Sequence, residues 1–186
     1  TGVQVWVLHM LGNHGPSYFR RHPEGATPFL PECREEELSR CTRDSVVNAY
    51  DNALRYTDAV LAQALQKLQS HASEVDTALL YVSDHGESLG ELGLYLHGLP
   101  YAMAPTAQKQ VPMIFWASEG FEQGAGLPPG CMTEALRARA RAGDVRHDHL
   151  FHTVLGLLDV DTALHEPSWD LVAPCRAQAL ALRGRT

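Results

Sequence analysis

The stretch that most constrains this chain runs from Leu79 to Pro100 and reads LLYVSDHGESLGELGLYLHGLP. An apolar, strand-forming run stops abruptly at Ser83-Asp84-His85-Gly86-Glu87, and a second histidine, His97, follows a loop punctuated by glycines. A buried strand fixes its backbone, so a loop at its end can aim a carboxylate and an imidazole at one point. Oxygen and nitrogen donors of this kind suit Zn²⁺, with Mn²⁺ as the alternative. Glu87 is close enough in sequence to accept a hydrogen bond from a ligand histidine and so orient it. The same Asp84-His85 pair also fits a plain turn with an exposed histidine.

A competing motif overlaps this one. Gly86-Glu87-Ser88-Leu89-Gly90 matches G-x-S-x-G, the nucleophile elbow of serine hydrolases. Asp144 or Asp148, then His149, His152 or His165, follow in the order such an enzyme uses. An elbow needs a strand running straight into it and a helix leaving it. Here Asp84-His85 intervene, and Gly93, Gly98 and Pro100 interrupt any helix afterwards.

A second strand-like run, Val3 to Leu8 (VQVWVL), also ends in histidines and glycines: His9, then Met10-Leu11-Gly12-Asn13-His14-Gly15-Pro16. In open α/β sheets, sites form beyond the carboxyl ends of strands. If the two strands are neighbours, His14 faces the Asp84-His85 corner. His9 reads as a core histidine, and the paired Arg20 and Arg21 as a solvated face. Thr42 caps a long helix that reaches Ser70. Its apolar positions, from Val46 and Tyr50 through Ala53, Thr57 and Leu61 to Leu68, recur at helical spacing. Asn48, Asp51, Asn52 and Asp58 fall on its polar side. Residues 77–83 and 111–116 read as strands, 120–130 as a loop, 134–141 and 149–158 as helices. Thr133 and Asp148 read as the caps of those two helices. The tail after Asp161 reads as irregular, with a basic, Ala-rich end.

At 186 residues, one domain with a single core is the prior. The net charge of −7 leaves no basic stripe to neutralise phosphates, which argues against a nucleic-acid binder. No apolar run approaches the roughly 18 to 20 residues of a membrane helix. Cys33 and Cys41 bracket a short polar loop, either as a small disulfide or as two thiols, and neither belongs to a metal-binding CxxC pair. Cys131 and Cys175 are candidates for a second bridge, and an even count of four suits an oxidising compartment. Alternating strands and helices make the chain an α/β sandwich.

With LHMLGNHGPSYF, CREEELSRC, VVNAYDNALRYTD, YVSDHGESLGELGLYLHGLPYAMAP, QKQVPMIFW and DHLFHTVLGLLDV in view, the chain closely resembles the lipid A phosphoethanolamine transferases, the family that includes the mobile colistin-resistance enzymes. The resemblance implies an alkaline-phosphatase-like (sulfatase-like) fold, with a central, mostly parallel sheet flanked by helices. It implies zinc-dependent transfer of phosphoethanolamine from phosphatidylethanolamine to a phosphate of lipid A, giving resistance to polymyxin-type peptides. By resemblance, Asp84 and His85 match ligands of the catalytic zinc. His14, Glu87 and His97 match residues lining the same pocket, where the two histidines bind the phosphoryl group or a second zinc. Cys33 and Cys41 match a family disulfide. The family's remaining zinc-site residues, a glutamate and a nucleophilic threonine, are implied to lie upstream of Thr1. A pocket lysine and the helices that hold the enzyme in the bacterial inner membrane, with the catalytic domain in the periplasm, are implied there too. Residues 1–186 are then the C-terminal part of one catalytic domain, expected to be inactive alone. The alternatives are a zinc phosphodiesterase or sulfatase of the same fold, and a serine hydrolase acting through Ser88.

Overall fold

The computed structural model describes residues 2–183, with side chains described through residue 178. The basic character expected at the very end of the chain lies partly outside these residues. The described elements are α1 (Arg43–Ser70), β1 (Ala78–Val82), β2 (Ser88–Leu89), β3 (Tyr95–Leu96), α2 (Thr106–Lys109), β4 (Met113–Ala117), α3 (Glu119–Gly124), α4 (Cys131–Ala142), α5 (Asp148–Leu157) and α6 (Ala173–Arg183). The chain forms two compact units. One comprises Trp6–Lys67 with Leu80–Ile114; the other comprises Thr1–Val5, Leu68–Leu79 and Phe115–Thr186.

In the unit built on Trp6–Lys67, α1 begins where its cap is written. Thr42 Oγ1 accepts the Ser45 backbone N–H at 3.3 Å, satisfying one of the free donors of the first turn. Val46, Ala49 and Ala53 are buried at the helical spacing of the sequence, and they meet Tyr18, Cys33 and Leu38 in one core. Cys33 and Cys41 form a disulfide with Cα atoms 5.8 Å apart. Asn52 is not on a solvated face. It is buried, its Oδ1 accepts the Phe29 N–H at 3.1 Å, and its Nδ2 donates to the Phe29 carbonyl at 3.0 Å. An amide that pairs with both the N–H and the carbonyl of one residue can be buried without the usual penalty.

The hairpin β2–β3 is a feature that sequence reading leaves as loop. Its strands pair antiparallel with Ser88 opposite Leu96 and Leu89 opposite Tyr95. Gly90 turns the chain at φ 103°, a conformation that a side chain would resist, and its N–H donates to the Leu94 carbonyl at 2.7 Å. That register leaves Glu87 and His97 as the next facing pair.

In the other unit, Leu127, Met132, Val172 and Cys175 form the core, with Phe115, Phe121 and Leu157 packed against it. Cys131 and Cys175 are bridged, tying α4 to α6. The tail is therefore helical from Ala173, not irregular; Pro174 in its first turn needs no intrahelical donor there. The glycine-rich loop contains α3, opened by Ser118 with Glu119 and Glu122 in its first turn. Buried Glu122 then accepts the Met132 N–H at 2.7 Å, and its other oxygen takes that of Gly130. This cap starts α4 at Cys131, two residues before Thr133. Gly143 ends the helix in the left-handed conformation, as its sequence position suggests.

Two expectations about strands change. β1 and β4 form a two-stranded sheet. The Ser118 N–H donates to the Thr77 carbonyl at 2.8 Å and the Ser83 N–H to the Pro112 carbonyl at 3.2 Å, which fits an antiparallel pair. Among the described residues the wide, mostly parallel sheet is absent, although the architecture remains mixed helix and sheet. Val3 to Leu8 is not a strand: Trp6 is 80% and Val7 87% exposed, and His9 is exposed as well. A buried parallel strand needs ladder partners and covered faces, and among the described residues this run has neither.

Candidate metal centre

Three loops of the unit built on Trp6–Lys67 bring His14, His85 and His97 together. One ligand atom from each lies within 4.8 Å of the others. The His85 and His97 rings stack at 3.8 Å between centroids, and His14 stands edge-on to both at 5.5 and 4.8 Å.

Each histidine is aimed by its Nδ1. His14 Nδ1 faces the Gly15 carbonyl at 2.7 Å, and His85 Nδ1 faces the Gly86 carbonyl at 3.0 Å. His97 Nδ1 faces Glu87 Oε1 at 3.1 Å. Carbonyls and carboxylates accept only, so each Nδ1 carries a proton and donates it. The three Nε2 atoms are left with their lone pairs. This is the arrangement in which an imidazole binds a metal ion, with the far nitrogen held by an acceptor.

The loops are held by contacts that explain their composition. Gly86 donates its N–H to the Gln108 carbonyl at 3.0 Å, and a Cβ there would strike the Ala107 carbonyl oxygen. At Gly15 a Cβ would strike the Leu96 side chain and come within 2.8 Å of the Tyr18 hydroxyl. Arg21 is not simply solvated: its Nε donates to the His14 carbonyl at 2.8 Å. Glu87 is buried between three donors. Oε1 accepts from the Gly15 N–H at 3.2 Å as well as from His97, and Oε2 accepts from the Tyr18 hydroxyl at 3.3 Å.

Asp84 lies outside the histidine cluster but beside it. Its side chain is 82% exposed, and Oδ2 is 3.8 Å from His85 Nε2. Its Oδ1 accepts the N–H of the next residue, His85, at 3.0 Å. Two donors on one tetrahedral zinc at about 2.0–2.1 Å sit roughly 3.3 Å apart. The Asp84–His85 spacing is therefore close to what such an ion requires, and the donor set of nitrogen and oxygen suits zinc.

The remaining sequence candidates separate from this cluster. Ser88 is fully buried at the start of β2, where its Oγ accepts from Gln108 Nε2 at 2.8 Å. No helix leaves it, so the nucleophile elbow is not formed. His149, His152 and His165 belong to the other unit, as do the bridged Cys131 and Cys175. Tyr18, Arg21 and Gln108 are participants that sequence reading missed. For the first two, the signal lay in their position within one turn of the GNHGP segment.

The chain as a whole was compared with known proteins. Residues 2–160 match the family model described as Sulfatase. The chain is 43% identical over 175 residues to phosphoethanolamine transferase EptA of Salmonella typhimurium, covering 94% of this chain and 31% of the relative. It is 46% identical over 154 residues to phosphatidylethanolamine transferase Mcr-1 of Escherichia coli, covering 83% of this chain and 26% of that protein. The soluble domain of lipooligosaccharide phosphoethanolamine transferase A from Neisseria meningitidis superposes with a TM-score of 0.79 at 40% identity, over 90% of this chain and 49% of that one. The chain thus spans less than a third of these curated relatives and about half of the solved domain.

Proposed function

Because the chain belongs to the sulfatase family, we propose that it supplies the histidine-bearing part of a zinc-dependent transferase that moves phosphoethanolamine from phosphatidylethanolamine to a phosphate of lipid A. The observation that carries this is that His14, His85 and His97 each bring a ligand atom within 4.8 Å of the others, with each Nδ1 set against an acceptor. The names of the matched relatives support the transferred group, and Mcr-1's name supports the donor. The lipooligosaccharide transferase supports an acceptor of the lipid A kind.

Asp84 and His85 would hold the zinc, which when bound lowers the pKa of a hydroxyl nucleophile and offsets charge on phosphoryl oxygens. No Thr or Ser of this chain is assigned as the nucleophile. His97, when protonated, carries donors on both nitrogens. One points at Glu87, whose charge balances the imidazolium; the other is free to give its proton to the departing diacylglycerol oxygen. The His97 left behind is the neutral Nδ1–H tautomer of the structure. His14 contributes its Nε2 to the same phosphoryl position or to a second zinc. Placement in the inner membrane with this region in the periplasm follows from the same reading; among the described residues no helix is long and apolar enough to cross a membrane. A cationic amine added to lipid A weakens its attraction for polymyxin-type peptides by ordinary Coulomb arithmetic.

The test uses the full-length protein that carries this chain, with phosphatidylethanolamine labelled in its headgroup. Label is expected on lipid A, with transfer abolished by EDTA and restored by zinc. Label released to water at the same rate with and without lipid A would instead identify a hydrolase of the same family.

A further inference from the structure

Glu87 is a buried carboxylate that touches the histidine cluster, and what fixes Glu87 is a tyrosine. A carboxylate with two buried oxygens can rotate about its last bond unless donors pin both. Here Oε1 takes the Gly15 N–H and His97 Nδ1, so the remaining freedom is decided at Oε2. The hydroxyl of Tyr18 supplies that donor at 3.3 Å.

Tyr18 is built for this position. It is completely buried in the core with Val46, Ala49 and Ala53, and its ring meets Tyr50 edge-on at 5.4 Å. The Gly15 site has no room for a Cβ beneath the phenol. Burial, and then the Glu87 charge, push the phenol well above its usual range, so the hydroxyl remains a donor throughout physiological pH.

We propose that Tyr18 is a positioning residue for the proposed transfer: through Glu87 it fixes His97 as the Nδ1–H tautomer and so presents the His97 Nε2 lone pair to the site. The assignment rests on the reading of His97 as a working imidazole, but the structural link Tyr18–Glu87–His97 is testable without any substrate. His14 and His85 are not on this link, because backbone carbonyls hold their Nδ1 atoms. They serve as internal references.

The experiment is ¹⁵N nuclear magnetic resonance of the histidine side chains in the full chain, for the unaltered protein, Tyr18→Phe, Glu87→Gln and the double variant, followed by titration with zinc alone. In the unaltered protein His97 should be the Nδ1–H tautomer, and the Tyr18 hydroxyl proton should exchange slowly enough to be seen. Tyr18→Phe should turn His97 into a mixture of tautomers while His14 and His85 keep theirs. The tightly held zinc should be retained, since Asp84 and His85 carry it and neither is on this link. In the Glu87→Gln background, Tyr18→Phe should add nothing further, since its effect passes through that carboxylate. A His97 tautomer unmoved by Tyr18→Phe would overturn the assignment. So would equal changes at all three histidines, or an undiminished Tyr18→Phe effect in the Glu87→Gln background. If Tyr18→Phe does not fold, the unaltered protein still decides: a freely exchanging Tyr18 hydroxyl, or a His97 protonated on Nε2, sinks the proposal. Loss of lipid transfer with these tautomers intact would count against the transferase reading alone.

Discussion

Two sets of three histidines, one drawn from each compact unit, are wired differently. In the group His14, His85 and His97, every Nδ1 donates to an acceptor, and one ligand atom of each ring lies within 4.8 Å of the others. In the group His149, His152 and His165, the ring nitrogens meet structural partners. His149 Nε2 accepts from Arg139 at 2.6 Å, and its Nδ1 faces both the N–H and the carbonyl of Arg146, at 3.0 and 3.2 Å. His152 Nδ1 accepts the Glu166 N–H at 3.0 Å, and His165 Nε2 donates to Asp170 at 3.1 Å. Histidine content and spacing do not separate the two groups. What separates them is which nitrogen keeps a lone pair and where it points.

The sharpest way to break this contrast is to remove one histidine from each group in the full-length protein. His85→Ala should reduce transfer by at least roughly a hundredfold and lower zinc content, since it deletes a group that stabilises charge at the reacting centre. Asp84→Ala should do the same. His97→Ala should keep the tightly held zinc but cost about 10²–10⁴ in turnover, the range for a lost proton donor. His149→Ala should instead cost about 1–3 kcal/mol of stability, because it empties a buried, hydrogen-bonded position, and leave metal content unchanged. Metal analysis by mass spectrometry and thermal melts decide between these outcomes. Normal zinc in His85→Ala, or lost zinc in His149→Ala, would erase the distinction.

The disulfides extend the comparison to stability. Cys131–Cys175 spans 44 residues and Cys33–Cys41 spans 8, so chain entropy favours the longer closure. Replacing the first pair by serine should cost about 4 kcal/mol, and the second about 2.5 kcal/mol. Denaturant titration of the two double variants tests that order.

The smallest effect concerns the hairpin that sets Glu87 against His97. Glu91 Oε2 accepts the Leu89 N–H at 2.7 Å, and Oε1 pairs with Arg43 at 3.4 Å. Burial works against the Glu91 charge, but these backbone bonds and then Arg43 outweigh it and hold its carboxyl below the usual range. A depressed folded pKa stabilises the protein above the unfolded value of about 4.3 and loses that contribution as pH falls through the folded one. Glu91→Gln should therefore cost about 1 kcal/mol at neutral pH, and the difference from the unaltered protein should shrink on acidification. Melts at pH 7 and in the acid range read the sign directly.

The sequence makes much of the site legible and less of the scaffold. Ser83-Asp84-His85-Gly86-Glu87 follows a strand and is visible as a motif, as is His14 among Asn13, Gly15 and Pro16. α1 is legible from its cap and its spacing. The hairpin is not, since two-residue strands carry no period, and so neither is the pairing of Glu87 with His97. The apolar run at Val3 misleads because hydrophobicity predicts a strand without saying whether a partner exists. The helix α3 is hidden by the glycines around it and α6 by the proline in its first turn; the Cys131–Cys175 bridge is visible as a candidate pair, whereas Glu122 capping α4 is a tertiary fact that no local window contains. Tyr18 is missed for the same reason, because its role depends on a carboxylate 69 residues away.

X-ray absorption at the zinc edge, on the chain loaded with one equivalent of zinc, tests the central claim most directly. The account predicts a shell of nitrogen and oxygen at about 2.0 Å with outer-shell scattering from imidazole, weakened in His85→Ala. A sulfur shell at about 2.3 Å, or a spectrum indifferent to the His85 substitution, would contradict it.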